Sequence, residues 1–143
     1  MERKYYHIPT LPAGTTVATV DWNVVPAAQI DTYRWLDGGY EPHAEARLAF
    51  LPGYGFALRM SCVERSPRAI YSGYNEPVYT DSCLEFFAAW AEGSPTHDRR
   101  YMNMEMNARG TLLSCLGTDR HARVPVRDIT GGSIPDVRGE ILP

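Results

Sequence analysis

The sequence predicts an all-β protein, an antiparallel β-sandwich of the immunoglobulin-like or jelly-roll-like kind. Two observations carry this. Apolar and polar residues alternate with period two through the middle of the chain, the pattern of half-buried strands. Eleven prolines and twelve glycines, spread over 143 residues, cut the chain into pieces of strand length. No convincing amphipathic helix competes with this reading. The best candidate, residues 26–35 with Ala27, Ala28, Ile30 and Tyr33, is short.

The elements follow in chain order. Residues 48–51, the turn-forming Pro52-Gly53-Tyr54-Gly55, and the alternation of Phe56, Leu58, Met60 and Cys62 with Ala57, Arg59, Ser61 and Val63 read as a β-hairpin. Leu84, Phe86, Ala88 and Trp90 then alternate with Cys83, Glu85, Phe87 and Ala89, and a loop is expected over 91–99. The clearest pattern comes next, with Met102, Met104 and Met106 alternating with Tyr101, Asn103, Glu105 and Asn107. Beyond Gly110, residues 111–116 supply a short strand ending at Gly117. From about Pro125 the pattern fades into Thr130-Gly131-Gly132-Ser133, so 125–143 is expected to be a loose or truncated tail. One domain over residues 1–143 is expected at this length, since two would each lack an adequate core.

Composition narrows the function. The net charge of -3, without any run of Lys or Arg, disfavours a nucleic-acid or anionic-membrane partner. The segment Met1-Glu2-Arg3-Lys4-Tyr5-Tyr6-His7 lacks the apolar stretch of a signal peptide, which points to a cytoplasmic protein. Cys62, Cys83 and Cys115 are odd in number, lack paired spacing and sit inside strand patterns, so reduced, packed thiols are expected. His7, His43, His97 and His121 are scattered and show no metal-ligand spacing.

Strand parity isolates a candidate functional face. If the methionines of the 101–107 strand and the Leu84, Phe86, Ala88 set face the core, then Glu85, Asn103, Glu105 and Asn107 share the outer face, among aromatic rings. Short amides and carboxylates are depleted in strands. Their alternation here suits the paired donors and acceptors of vicinal hydroxyls, while Tyr71, Tyr74 or Tyr79 could cover the apolar side of a sugar. Outward polar residues are also what any half-exposed sheet displays.

The run from Pro77 to Phe87, containing Tyr79-Thr80-Asp81-Ser82 and Glu85, followed by Tyr101 to Gly110, resembles the family 9-like carbohydrate-binding modules of the DOMON-like group. Trp22, Trp35, Pro42 with Ala46-Arg47-Leu48-Ala49-Phe50, Glu64 with Pro67-Arg68-Ala69, and Gly117 with Arg120 and Arg123 extend the resemblance over roughly residues 20–125. It implies a β-sandwich that binds a carbohydrate ligand without catalysis. Tyr79 would be the first aromatic ring and Glu85 the carboxylate for sugar hydroxyls. Asn103, Glu105, Asn107 and Arg120 would add polar contacts. Relatives carry structural calcium, for which Asp81 would be an oxygen ligand, or else it caps the strand turn. Such modules usually continue past this length with a second ring. No Trp or Tyr follows Tyr101 here, so a homo-oligomer completing the sheet is one expectation. Two alternatives stand beside sugar binding. One is an interaction sandwich without a sugar ligand; the other is a glycoside hydrolase using Glu85 and Glu105.

Overall fold

The computed structural model describes residues 4–33, 38–89 and 100–142. The chain is all-β, with two antiparallel sheets of three and four strands. They belong to two compact units, Met1–Glu64 and Arg65–Pro143.

The first unit is a meander of β1 (Ala28–Ile30), β2 (His43–Leu51) and β3 (Gly55–Val63), in that order across the sheet. Its centre is the expected hairpin. Gly53 and Gly55 take φ of 86° and 113°, in the left-handed region where a side chain is strained, so the turn needs glycine there. Val25, Ala44, Ala49, Leu51 and Ala57 are buried. Arg47 fastens the preceding segment along the sheet by donating to the Trp22 and Val25 carbonyls, 3.1 and 2.5 Å away, and to Glu45. Segment 26–35 yields β1, and Trp35, in the rest of that candidate, lies outside the described residues.

The second unit is a meander of β4 (Cys83–Ala88), β5 (Tyr101–Asn107), β6 (Leu112–Asp119) and β7 (Ala122–Pro125). Among the described residues of this unit the helical elements are a 3-10 turn, Val78–Thr80, and one turn of helix, α1 (Val126–Ile129). The expected loop over 91–99 and Trp90 lie outside the described residues. β1 and β7 hold three and four residues, too short to show a period of two.

A long segment before β4 folds back across β5 and β6. Its base is closed by the Arg68 amide donating to Ser82 Oγ and the Ser82 amide donating to the Arg68 carbonyl. Its middle docks on the free edge of β6. The Asn75 amide donates to the Leu112 carbonyl at 2.9 Å, and Asn75 Oδ1 accepts from the Ser114 amide at 2.9 Å. Tyr74 Oη donates to the Ser114 carbonyl. Asn75 thus acts as a one-residue strand where β7 does not reach, and this stretch of edge stays paired.

Which face of the second sheet is covered differs from the parity assignment. Asn103, Glu105 and Asn107 are 0%, 5% and 3% exposed, while Met102, Met104 and Met106 are only half-buried. The alternation is present as expected, but the polar residues of β5 are the buried set, and the back-folded segment meets them at Asn107, whose Nδ2 donates to the Tyr71 carbonyl. Buried polar groups are tolerated there because they are hydrogen-bonded, as the next section details.

Near its end the tail meets the β5–β6 turn by contact between backbones. A Cβ on Gly139 would lie 2.6 Å from the Ala108 carbonyl oxygen and closer still to the Gly110 amide nitrogen, so no side chain fits. Gly139→Val is therefore expected to detach the tail. Limited proteolysis should cut within 134–142 faster than in the parent, while far-ultraviolet circular dichroism stays unchanged.

Candidate functional site

The register of the second sheet assembles the site. Glu85 stands directly opposite Glu105, Cys83 opposite Asn107, and Phe87 opposite Asn103. On the other side of β5, Tyr101 faces Gly117, which in turn faces Arg123 on β7. One face therefore carries two carboxylates, two amides, two aromatic rings and a guanidinium.

Asn107 belongs to the scaffold of this face. Its Nδ2 donates to the Tyr71 carbonyl and to Asp81 Oδ2, both at 2.9 Å. Its Oδ1 accepts from the amides of Arg109 at 3.0 Å and Thr111 at 3.1 Å. That exhausts an amide side chain, two donors and two acceptor sites. Asp81 is equally committed. Oδ2 also accepts from the amides of Ile70 and Tyr71, and Oδ1 faces Arg68 Nε at 3.3 Å. Burial pushes the Asp81 pKa up, but the donors Asn107, Tyr71, Ile70 and Arg68 together hold it below the usual aspartate range. A carboxylate so occupied does not fit a calcium ligand, since calcium needs six to eight oxygens free to turn toward it. Among the described residues no cluster of three or more His, Cys, Asp or Glu side chains could hold a metal ion. Asp81 closes the turn before β4, the alternative role open to it from sequence.

Asn103 orders the centre. Its Oδ1 accepts from the Cys115 amide at 3.1 Å, and its Nδ2 donates to Glu105 Oε1 at 2.9 Å. Glu105 is nearly buried, and its second oxygen has no hydrogen-bond partner among the described residues. Glu85 is exposed and forms neither a hydrogen bond nor an ion pair with any described residue. Burial first, and the facing Glu105 charge second, push the Glu85 pKa above the usual range; Arg123 opposes them. The same burial, with both glutamates nearby, pushes the Cys83 thiol up to about 12, so it is an unreactive thiol at neutral pH.

The rings lie at one end of this face. Phe87 and Tyr101 stand 5.9 Å apart between centroids at a 31° tilt, and Phe87 is 50% exposed. The Arg123 guanidinium lies 5.8 Å from the Tyr101 ring centre, within cation–π range. Gly117 makes this approach possible: a Cβ there would lie 2.9 Å from Arg123 Cγ and 2.7 Å from its Cα. Tyr79 stands elsewhere, 59% exposed on the 3-10 turn that lies against β4 and β5. Arg120 occupies the two-residue β6–β7 turn with His121 and is exposed. Arg123 rather than Arg120 joins the face. The register shift between Gly117 and Asp119 hid this from simple counting, while the parity of Phe87 with Glu85 was visible in the sequence.

The face thus combines hydrogen-bonding side chains with two aromatic rings at one end. A family model, Carbohydrate-binding family 9, matches residues 15–132, and the chain belongs to this family. Among solved structures, a protein of Bacteroides uniformis described provisionally as carbohydrate-binding superposes with a TM-score of 0.68 at 30% sequence identity. The match covers 87% of this chain and 57% of that one, so this chain spans little more than half the length of its structural relative. No curated protein matches.

Two outcomes follow for stability. Because folding raises the Glu85 pKa, this group's contribution to stability is full below the ordinary glutamate pKa and is lost as pH rises through the raised value. Glu85→Gln should therefore stabilise the protein at pH 7 by roughly 0.2–1 kcal/mol, the scale of a cross-strand pair. In urea titrations the gain should vanish near about pH 4, where glutamates protonate. Asn107→Ala, by contrast, should destabilise by about 2–3 kcal/mol, since it strands buried amides; the same titrations measure it.

Proposed function

We propose that this chain is a non-catalytic carbohydrate-binding module whose ligand lies on the face of β4, β5 and β7. The observation that carries the reading is the Glu85–Glu105 couple, which forms no ion pair among the described residues, beside the Phe87–Tyr101 rings. A folded protein leaves two facing carboxylates without a cation only at a cost in stability, and such costs cluster where ligands are met. The carboxylates offer acceptors to sugar hydroxyls, Arg123 offers donors, and Phe87 offers an apolar surface to C–H groups.

Family membership supports the ligand class, and among the described residues no arginine is paired to Glu85, which favours ligand binding over a scaffold role. Asn107 supports the candidate face from beneath, by holding the back-folded segment through Tyr71 and Asp81.

The same two carboxylates are what a hydrolytic reading would use, one as acid and the other as base or nucleophile. Titration calorimetry against mono- and disaccharides, paired with product analysis, separates the readings. Saturable heat with the sugar recovered intact is expected. Phe87→Ala should weaken binding about tenfold, in line with the value of an aromatic contact, and Glu85→Ala should abolish measurable heat. Cleaved sugar, or binding indifferent to both substitutions, would overturn the proposal.

A further inference from the structure

We infer that the second unit holds a further ligand site, a cleft between the back-folded segment, the β5–β6 turn and the tail, which takes a neutral sugar. The choice of a sugar rests on the carbohydrate-binding reading. The cleft itself does not, and neither Glu85, Glu105, Phe87 nor Tyr101 lines it.

The cleft measures about 500 Å³, within the range of small-molecule sites. Each of its walls is fixed by bonds of its own. Ser72 and Tyr74 form the first. The Tyr74 hydroxyl donates to the Ser114 carbonyl and accepts from the Arg127 amide at 3.2 Å, and the Arg127 guanidinium lies 4.7 Å from its ring centre. Gly110, Thr111 and Leu112 form the second. There the Thr111 amide donates to Asn107 Oδ1, and its hydroxyl donates to the Tyr71 carbonyl at 2.8 Å. Residues 134–137 of the tail form the third, as a bridge between two anchors. On one side the Thr130 hydroxyl meets the Val126 and Ser133 carbonyls. On the other, Gly139 lies backbone to backbone against Ala108 and Gly110. A cleft walled in this way stands ready, so a ligand is spared the cost of ordering it.

The chemistry of the lining restricts the ligand. Leu112 is 4% exposed, and with Ile134, Val137 and the Tyr74 ring it supplies apolar surface for C–H groups. The polar groups are mainly acceptors. Tyr74 Oη has spent its proton on Ser114 and Thr111 Oγ1 has spent its own on Tyr71. Thr111, 8% exposed, keeps lone pairs with which to accept. Asp136 is a carboxylate and accepts only. Acceptors set among apolar groups call for a ligand that carries both O–H donors and C–H faces, the combination a sugar ring presents. Charge does not call for an ion. Asp136 already has Arg138 at 3.7 Å, and Glu76 is bound to the Ser72 and Gly73 amides. Arg127 is laid on the Tyr74 ring, and Arg109, next to Gly110, is exposed. Side chains of both signs therefore surround the cleft, and a neutral ligand leaves none of them opposed.

Proton–nitrogen NMR spectra of the full chain, titrated with glucose, xylose and cellobiose, test this because they report the two sites separately. With at least one of these sugars, saturable shifts are expected at Gly110, Thr111, Leu112, Ile134 and Val137, with a midpoint independent of any shifts at Glu85, Phe87 and Tyr101. Ile134→Trp, at an exposed position, fills the cleft and should remove the first set of shifts while leaving the remainder of the spectrum in place. Asp136→Ala should weaken binding in the cleft about tenfold, the scale of a hydrogen bond to a charged acceptor. Shifts confined to Glu85, Phe87 and Tyr101 would overturn the inference and leave the proposed function intact. Shifts confined to the cleft would uphold the inference and remove the ligand from the β4–β5 face. Cleft shifts that persist in Ile134→Trp, or that glucuronate or glucosamine produces at lower concentration than every neutral sugar, would overturn it as well. Absence of saturable shifts with every sugar would overturn both.

Discussion

The side chain of Asn107 is the point on which the second sheet depends. Through four hydrogen bonds it joins the last residue of β5 to the β5–β6 turn and to the segment that folds back before β4. Asp81 shares that junction and adds the Ile70 and Tyr71 amides. Without this junction the polar side of β5 would lie open to water, and Asn103 and Glu105 would have no reason to hold one geometry. With it, the amide of Asn103 is locked between a backbone amide and the Glu105 carboxylate, across the register from Glu85.

The arrangement divides the polar residues of this face by what they spend their hydrogen bonds on. Asn107 and Asp81 have none left over and act as structure. Asn103 is shared between the sheet and Glu105. Glu105 keeps one oxygen and Glu85 keeps both. Chemical availability is therefore highest at the Glu85–Glu105 pair, between the Asn107 end and the Asn103–Phe87 pair. The thiols follow the same logic in reverse, because burial and the neighbouring carboxylates keep Cys83 protonated and out of the chemistry.

Much of this was legible in the sequence, and the remainder was hidden for identifiable reasons. Period two revealed β3, β4 and β5 and grouped Glu85 with Asn103, Glu105 and Asn107, because side-chain direction in a strand is a local property. Which side is covered is not local. It is decided by contacts such as Asn107 with Tyr71, 36 residues apart, so the methionine side and the amide side could not be ranked by pattern. Arg123 was obscured by the irregular pairing at Gly117, which breaks the parity count just before it. The two aspects of Asp81, metal ligand or turn cap, have the same sequence signature, and only its occupied oxygens separate them.

The order of strands has a kinetic consequence. Among the described residues the named strands of both sheets pair with their neighbours in sequence, so contact order within each sheet is low. The β6–β7 hairpin, closed by two residues, is the cheapest nucleus in the second sheet, whereas β4 must join β5 across the whole span from Ala88 to Tyr101. Pairing of β4 is then the late event, and it is the one that forces Glu85 against Glu105. Repulsion between them weighs on the finished sheet more than on the path to it, so it belongs to the unfolding limb of a chevron. The edge that carries the exposed carboxylate is also the first that the sheet would let go.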